Sequence, residues 1–93
     1  MVETFEAIDN TIKQPLDLLA LLLQEHVFVK LRHSRSMTGV LVAYDEHLNL
    51  MLNDAIESVK EPDGTTDTNQ LQIVYVRGDL VVAVAPHNVW IFN

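Results

Sequence analysis

The feature that most constrains the fold is a change in hydrophobic period near His26. From there to Ala85 the apolar residues fall into short runs, most of them alternating with polar residues. Alternation of this kind is typical of half-buried antiparallel strands. The sequence predicts five strands, at residues 26–32, 37–45, 48–59, 71–77 and 80–85.

A short helix is predicted ahead of the strands, from Pro15 to about Gln24. Proline suits the first helical turn, where its missing N–H costs nothing. Asp17 in the same turn suits the positive end of the helix. Apolar residues recur at helical spacing and form one face; they are Pro15, Leu18, Leu19, Leu22 and Leu23.

The connections between the strands are short, which favours a small and strongly bent sheet. Gly39 within the second strand predicts a bend or bulge. Residues 61–70 contain Pro62, Asp63 and Gly64 and no apolar residue, so they are predicted to form a loop. The expected fold is mainly β, a helix followed by a five-stranded antiparallel sheet that forms a small open barrel. An OB-fold fits the element count almost as well.

Length and charge limit the possible functions. The 93 residues suffice for one domain, predicted at 15–86, with tails at 1–14 and 87–93. The longest apolar run has six residues, whereas a membrane helix needs about 20. A net charge of −7 disfavours nucleic-acid binding by broad phosphate neutralisation. An RNA-binding role would therefore depend on base stacking and edge recognition, or on basic partner subunits.

Asp45, His47 and Asn49 are the first candidate site. At spacings of two, their side chains point to one side of an extended chain. An imidazole offers a flat face for stacking, and an amide offers the donor and acceptor that match the edge of uracil. A carboxylate could orient that amide. On spacing alone, these three polar residues are more commonly explained as a turn whose side chains are solvated.

Arg77 and Gly78, at the end of the fourth strand, are the second candidate. A guanidinium can stack on the other face of a base. Glycine allows a close backbone approach or a positive φ. On the dipeptide alone, a hairpin corner with a solvated arginine is the favoured explanation.

No pattern of catalytic residues stands out. The four histidines are dispersed without metal-ligand spacing, and no phosphate-binding or nucleophile motif occurs. The sequence therefore predicts neither an enzyme nor a bound cofactor.

Two segments resemble the paired motifs of the Sm-like (LSm) family. GVLVAYDEHLNLML, from Gly39 to Leu52, resembles the first motif, and VYVRGDLVVAVAP, from Val74 to Pro86, resembles the second. Their order and the intervening variable loop also match. Within the family, PLDLL, AYDEHLN and VRGD are most similar to the third subunit type of the eukaryotic heteroheptameric rings.

The resemblance implies a binding site for the uridine-rich 3′ ends of RNA. By residue match, His47 stacks on a base, Asn49 binds its edge and Asp45 orients Asn49. Arg77 and Gly78 cover the other side of the base. These roles come from the resemblance, not from the spacing of the residues.

The resemblance also implies a ring of seven related subunits. Strand 71–77 (Leu71 to Arg77) of one subunit would pair with strand 80–85 (Leu80 to Ala85) of the next, and an isolated chain could form a homomeric ring. Nuclear rings of this type act in pre-mRNA splicing, and cytoplasmic rings act in mRNA decapping and decay. The acidic composition keeps an alternative open, a scaffold subunit with little direct RNA contact.

Overall fold

The computed structural model describes residues 15–87 and contains one helix followed by five strands. All strand pairs are antiparallel, in the order β4-β3-β2-β1-β5. The elements are helix α1 (Pro15–Leu22), strands β1 (His26–Leu31), β2 (Arg35–Tyr44), β3 (Leu50–Lys60) and β4 (Thr66–Val76), a 3-10 turn (Gly78–Leu80) and strand β5 (Val81–Pro86). The predicted fold class is confirmed. The predicted tails at 1–14 and 87–93 lie outside the described residues, except for His87.

Helix α1 packs its leucine face into the same core as the strands. Leu18, Leu19 and Leu22 are buried, while Leu21 and Leu23 are exposed. The helix ends at Leu22, two residues before the predicted end. Gln24 takes a left-handed φ of 67°, and the Glu25 N–H donates to the Leu22 carbonyl at 2.9 Å. A left-handed residue of this kind is a common way to end a helix.

The sheet is bent where strands β2 and β3 pair out of register. Thr38 pairs with Ile56 but Val40 pairs with Asn53, so β3 carries an extra residue opposite Gly39. A Cβ built on Gly39 would lie 3.0 Å from the Asn53 carbonyl oxygen, closer than ordinary contacts. The missing side chain thus lets the two backbones approach at the bulge, as the sequence predicted.

The core fills the inside of the bend. Val27, Val29, Leu41 and Leu52 are fully buried, and each comes from the inward face of its strand. The described residues include no helix long and apolar enough to cross a membrane.

Strand β4 begins earlier than the sequence predicted. The expected loop at 61–70 is wrong, because its second half forms β4 from Thr66 and pairs with β3 in continuous register from Thr66 opposite Lys60 to Gln70 opposite Ile56. The loop prediction relied on the absence of apolar side chains. Here the partner strand supplies backbone hydrogen bonds, so polar and threonine-rich residues remain extended although they bury little surface.

The two ends of the sheet remain open. Strands β4 and β5 are the outer strands of the order and do not pair with each other. The predicted bounds of both were slightly wrong, since Arg77 lies beyond β4 and Leu80 belongs to the 3-10 turn. Ile73 and Tyr75 on β4 and Val82 on β5 are exposed. Unpaired edges with exposed apolar side chains favour association with further strands.

Candidate nucleic-acid interface

The five predicted site residues come from two loops that the fold brings together. One loop, residues 45–49, joins β2 to β3, and the other, residues 77–80, joins β4 to β5. The backbone N–H of Gly78 donates to Oδ1 of Asn49 at 2.6 Å. This bond spans 29 residues of sequence and connects the two candidate groups that sequence reasoning identified separately.

The Asp45 carboxylate organises the first loop. Its Oδ1 accepts from the backbone N–H groups of His47, at 2.8 Å, and Asn49, at 3.1 Å. Its Oδ2 accepts from Nδ2 of Asn49 at 2.8 Å. The sequence predicted that an extended chain groups Asp45, His47 and Asn49. That reason is wrong, because a turn connects the three residues. Residues 46 and 47 form a turn, and Leu48 has a left-handed φ of 64°.

These hydrogen bonds favour the ionised form of Asp45. The bond from the Asn49 side chain is the largest cause that lowers the pKa of Asp45 below its ordinary value of 3.8. The backbone N–H groups of Asn49 and His47 add to the effect. A carboxylate that accepts several hydrogen bonds holds its proton weakly. Asp45 is consequently an acceptor only, near neutral pH.

Gly78 is required by contact with the facing loop. A Cβ built on Gly78 would overlap the carbonyl oxygen of His47 and would lie 2.9 Å from its carbonyl carbon. The absence of a side chain lets the Gly78 N–H reach Asn49. Of the two predicted uses of this glycine, close approach is the one that the structure shows.

His47 and Arg77 are both exposed beside this network. Their side chains keep 74% and 71% of their surface accessible, so a flat ligand can reach the imidazole and the guanidinium. Nη2 of Arg77 donates to Oδ2 of Asp79 at 3.1 Å. Sequence reasoning did not include Asp79 in the site, although its position two residues after the arginine was a usable signal.

The arrangement can present hydrogen-bonding groups but holds no cluster suited to a metal ion. Within residues 15–87, no three His, Asp or Glu side chains lie close enough together to bind one. The hydrogen bonds from Asn49 to Asp45 and from Gly78 to Asn49 orient an amide, which can recognise a planar polar ligand.

The comparison with protein families decides the affiliation of the chain. The LSM domain profile matches residues 17–86, which include both loops of the candidate site. The chain belongs to the LSM domain family. The predicted membership in the Sm-like family is thereby confirmed.

Curated members of the LSM family match most of this chain. A probable U6 snRNA-associated Sm-like protein LSm3 of Dictyostelium discoideum is 40% identical, over 84% of this chain and 90% of that protein. The LSM complex subunit lsm3 of Schizosaccharomyces pombe is 43% identical, over 83% of this chain and 92% of that protein. These relatives confirm the predicted likeness to the third subunit type.

Solved structures of LSM family members share the fold. The Pyrococcus abyssii Sm protein in complex with a uridine heptamer superposes with a TM-score of 0.67 at 34% identity, covering 80% of this chain and 99% of that chain. A heptameric archaeal Sm protein superposes with a TM-score of 0.63 at 31% identity, covering 75% and 96%.

Proposed function

We propose that this chain is an RNA-binding subunit of an LSm ring and holds one uracil base between the loops at 45–49 and 77–80. The solved relative that contains a uridine heptamer supports the choice of ligand. The five residues proposed to bind RNA are Asp45, His47, Asn49, Arg77 and Gly78.

The fixed orientation of the Asn49 amide carries the proposal. Ionised Asp45 can only accept a hydrogen bond, and the Gly78 N–H can only donate one. Nδ2 of Asn49 must therefore face Asp45, and its Oδ1 must face Gly78. One N–H and one lone pair of the amide remain for a ligand. They match O4 and N3–H of uracil, and they oppose the reversed donor and acceptor pattern of cytosine.

The exposed side chains of His47 and Arg77 complete the proposed pocket. An imidazole and a guanidinium both stack on base faces. Such stacking contributes about 1–3 kcal/mol per base and depends little on base identity. In this scheme Asn49 provides the preference for uracil, while His47 and Arg77 provide affinity.

The ring follows from the open sheet edges. We propose that residues 71–76 of β4 pair with residues 81–85 of β5 in the next subunit, closing both edges. The heptameric archaeal relative supports this arrangement. A net charge of −7 makes a single chain a poor RNA-binding protein, so several pockets in one ring would act together.

Binding of oligouridine and oligocytidine heptamers by the purified protein tests the pocket. Replacement of Asn49 by alanine should reduce the preference for uridine about 5- to 150-fold, since a good pair of base-edge hydrogen bonds discriminates by about 1–3 kcal/mol. Asn53→Ala is the matched control, because Asn53 lies further along β3 and outside the site. An unchanged preference in Asn49→Ala would refute the pocket assignment.

The cellular role proposed for the chain follows the LSm3 relatives. We propose action in the nucleus on a spliceosomal small nuclear RNA, as the Dictyostelium relative's name indicates for that protein, and action in the cytoplasm in mRNA decapping and decay. Depletion should cause both intron retention and accumulation of deadenylated mRNA. Intron retention without accumulation of deadenylated mRNA would restrict the role to the nucleus.

The acidic charge favours a second candidate, a scaffold subunit whose pocket remains without RNA. Crosslinking of RNA to peptides that contain His47 or Arg77 distinguishes the two. Crosslinks at these peptides would exclude the scaffold, and their absence from an RNA-loaded ring would favour it.

A further inference from the structure

The basic residues of this acidic chain are concentrated beside the candidate site. Six Lys and Arg residues occur in the whole sequence. Three of them, Arg32, Arg35 and Arg77, line one open cavity of about 290 Å³, together with the imidazole of His33. Glu57 is the one carboxylate among its lining residues. The lining residues therefore include three arginines and one carboxylate in a protein of strongly negative net charge, and these three arginines are called the cationic rim.

Backbone hydrogen bonds connect this cavity to the proposed base pocket. The Arg32 N–H donates to the Leu80 carbonyl at 2.9 Å, which ties the β1–β2 turn to the 3-10 turn. The other end of the 3-10 turn is tied to Asn49 through Gly78. Arg77 belongs to both places, since it lines the cavity and precedes Gly78. A ligand in the base pocket consequently lies next to the cationic rim.

Much of the positive charge on the rim is not neutralised. Arg35 lies 3.6 Å from Glu57, a long ion pair with an arginine side chain that is 53% exposed. Arg77 pairs with exposed Asp79. Within residues 15–87, Arg32 forms no ion pair. Exposed pairs of this kind are weak, so the guanidinium groups remain available to an anion.

We propose that Arg32 and Arg35 bind the phosphodiester backbone of the RNA whose base occupies the neighbouring pocket. This inference rests on the proposed function and adds a phosphate site to it. Guanidinium groups match phosphate oxygens with two parallel hydrogen bonds. A nucleotide held by its base at Asn49 carries its phosphate outside the base pocket, and the rim beside Arg77 is the adjoining cationic surface. The site gives a chain of charge −7 a local field suited to a polyanion.

The salt dependence of oligouridine binding tests this site. For single strands, the logarithm of the binding constant falls with the logarithm of salt concentration by about 0.7 per phosphate contact. Arg32→Gln and Arg35→Gln should each flatten that slope by about 0.7 for every subunit that binds a nucleotide. Their preference for oligouridine over oligocytidine should remain unchanged, because the Asn49 amide is intact.

Lys30→Gln is the matched control. Lys30 is exposed on β1 and is not among the residues that line the cavity. The Lys30→Gln substitution removes the same charge and should leave the salt dependence of oligouridine binding as in the unmodified protein. Light scattering and circular dichroism establish that all variants keep the same mass and fold.

Each outcome of the test has one meaning. Slopes that are unchanged in both arginine variants would overturn the phosphate site. A fall in mass for those variants alone would also overturn it, and would assign the cavity to an acidic segment of a neighbouring subunit. If the unmodified protein shows no preference for oligouridine but the arginine variants still flatten the slope, the uracil pocket fails and the phosphate site stands. No binding of either oligonucleotide would overturn both.

Discussion

Replacement of Gly78 by alanine should open the candidate site without touching its polar side chains. The new Cβ would overlap the His47 carbonyl oxygen and lie 2.9 Å from the carbonyl carbon, whereas ordinary contacts begin at 3.4 Å. The 77–80 loop must withdraw to relieve this overlap. The 2.6 Å bond from Gly78 to Asn49 would then be lost.

The expected cost follows from that single bond and from the strain of the displaced loop. We expect the free energy of unfolding to fall by about 1–3 kcal/mol. In a domain of this size, each kcal/mol lowers the Tm by about 4–8 °C. The preference for oligouridine over oligocytidine should also fall, because the Asn49 amide loses one of the two partners that fix its orientation.

Thermal unfolding and competition between oligouridine and oligocytidine measure the two effects. Gly64→Ala is the control, because Gly64 has a φ of 93° and no atom within 4 Å of an added Cβ. That variant should lose about 1 kcal/mol through backbone strain alone and keep its uridine preference. A Gly78→Ala protein with unchanged Tm and unchanged uridine preference would refute the conclusion that Gly78 is required by its close contact with His47.

Three further predictions concern the core, the site and the sheet edge. Leu41 is fully buried, so Leu41→Ala should lower the free energy of unfolding by about 2–5 kcal/mol in urea titrations; a loss below 1 kcal/mol would contradict the packing. Because the pKa of Asp45 is lowered, the stabilising hydrogen bonds of its carboxylate should persist above pH 3.8. They should be lost as the pH falls through that lowered pKa. An Asp45 carboxyl that titrates at or above pH 3.8 in NMR would contradict this prediction. Ile73→Lys places a charge on exposed β4 and should reduce the solution mass without unfolding the chain.

Much of the fold followed from local pattern. Helix α1 and the five strands were predicted from hydrophobic period, because a buried face imposes the period of its secondary structure on the sequence. The bend at Gly39 was also predicted, since a glycine within a strand favours a bulge. Strand β4 was underestimated between Thr66 and Gln70. Its pairing with β3 depends on backbone hydrogen bonds, which are independent of side-chain hydrophobicity.

The sequence by itself determined the type of each candidate group and, through the two motifs, the family. It could not determine how the groups combine. The contact between Gly78 and Asn49 joins residues far apart in the chain, and the orientation of the Asn49 amide depends on partners from both loops. The turn at 46–48, not an extended strand, brings Asp45 onto Asn49. Only the tertiary structure brings Arg32, Arg35 and Arg77 to one cavity, because the bend of the sheet decides which loops meet.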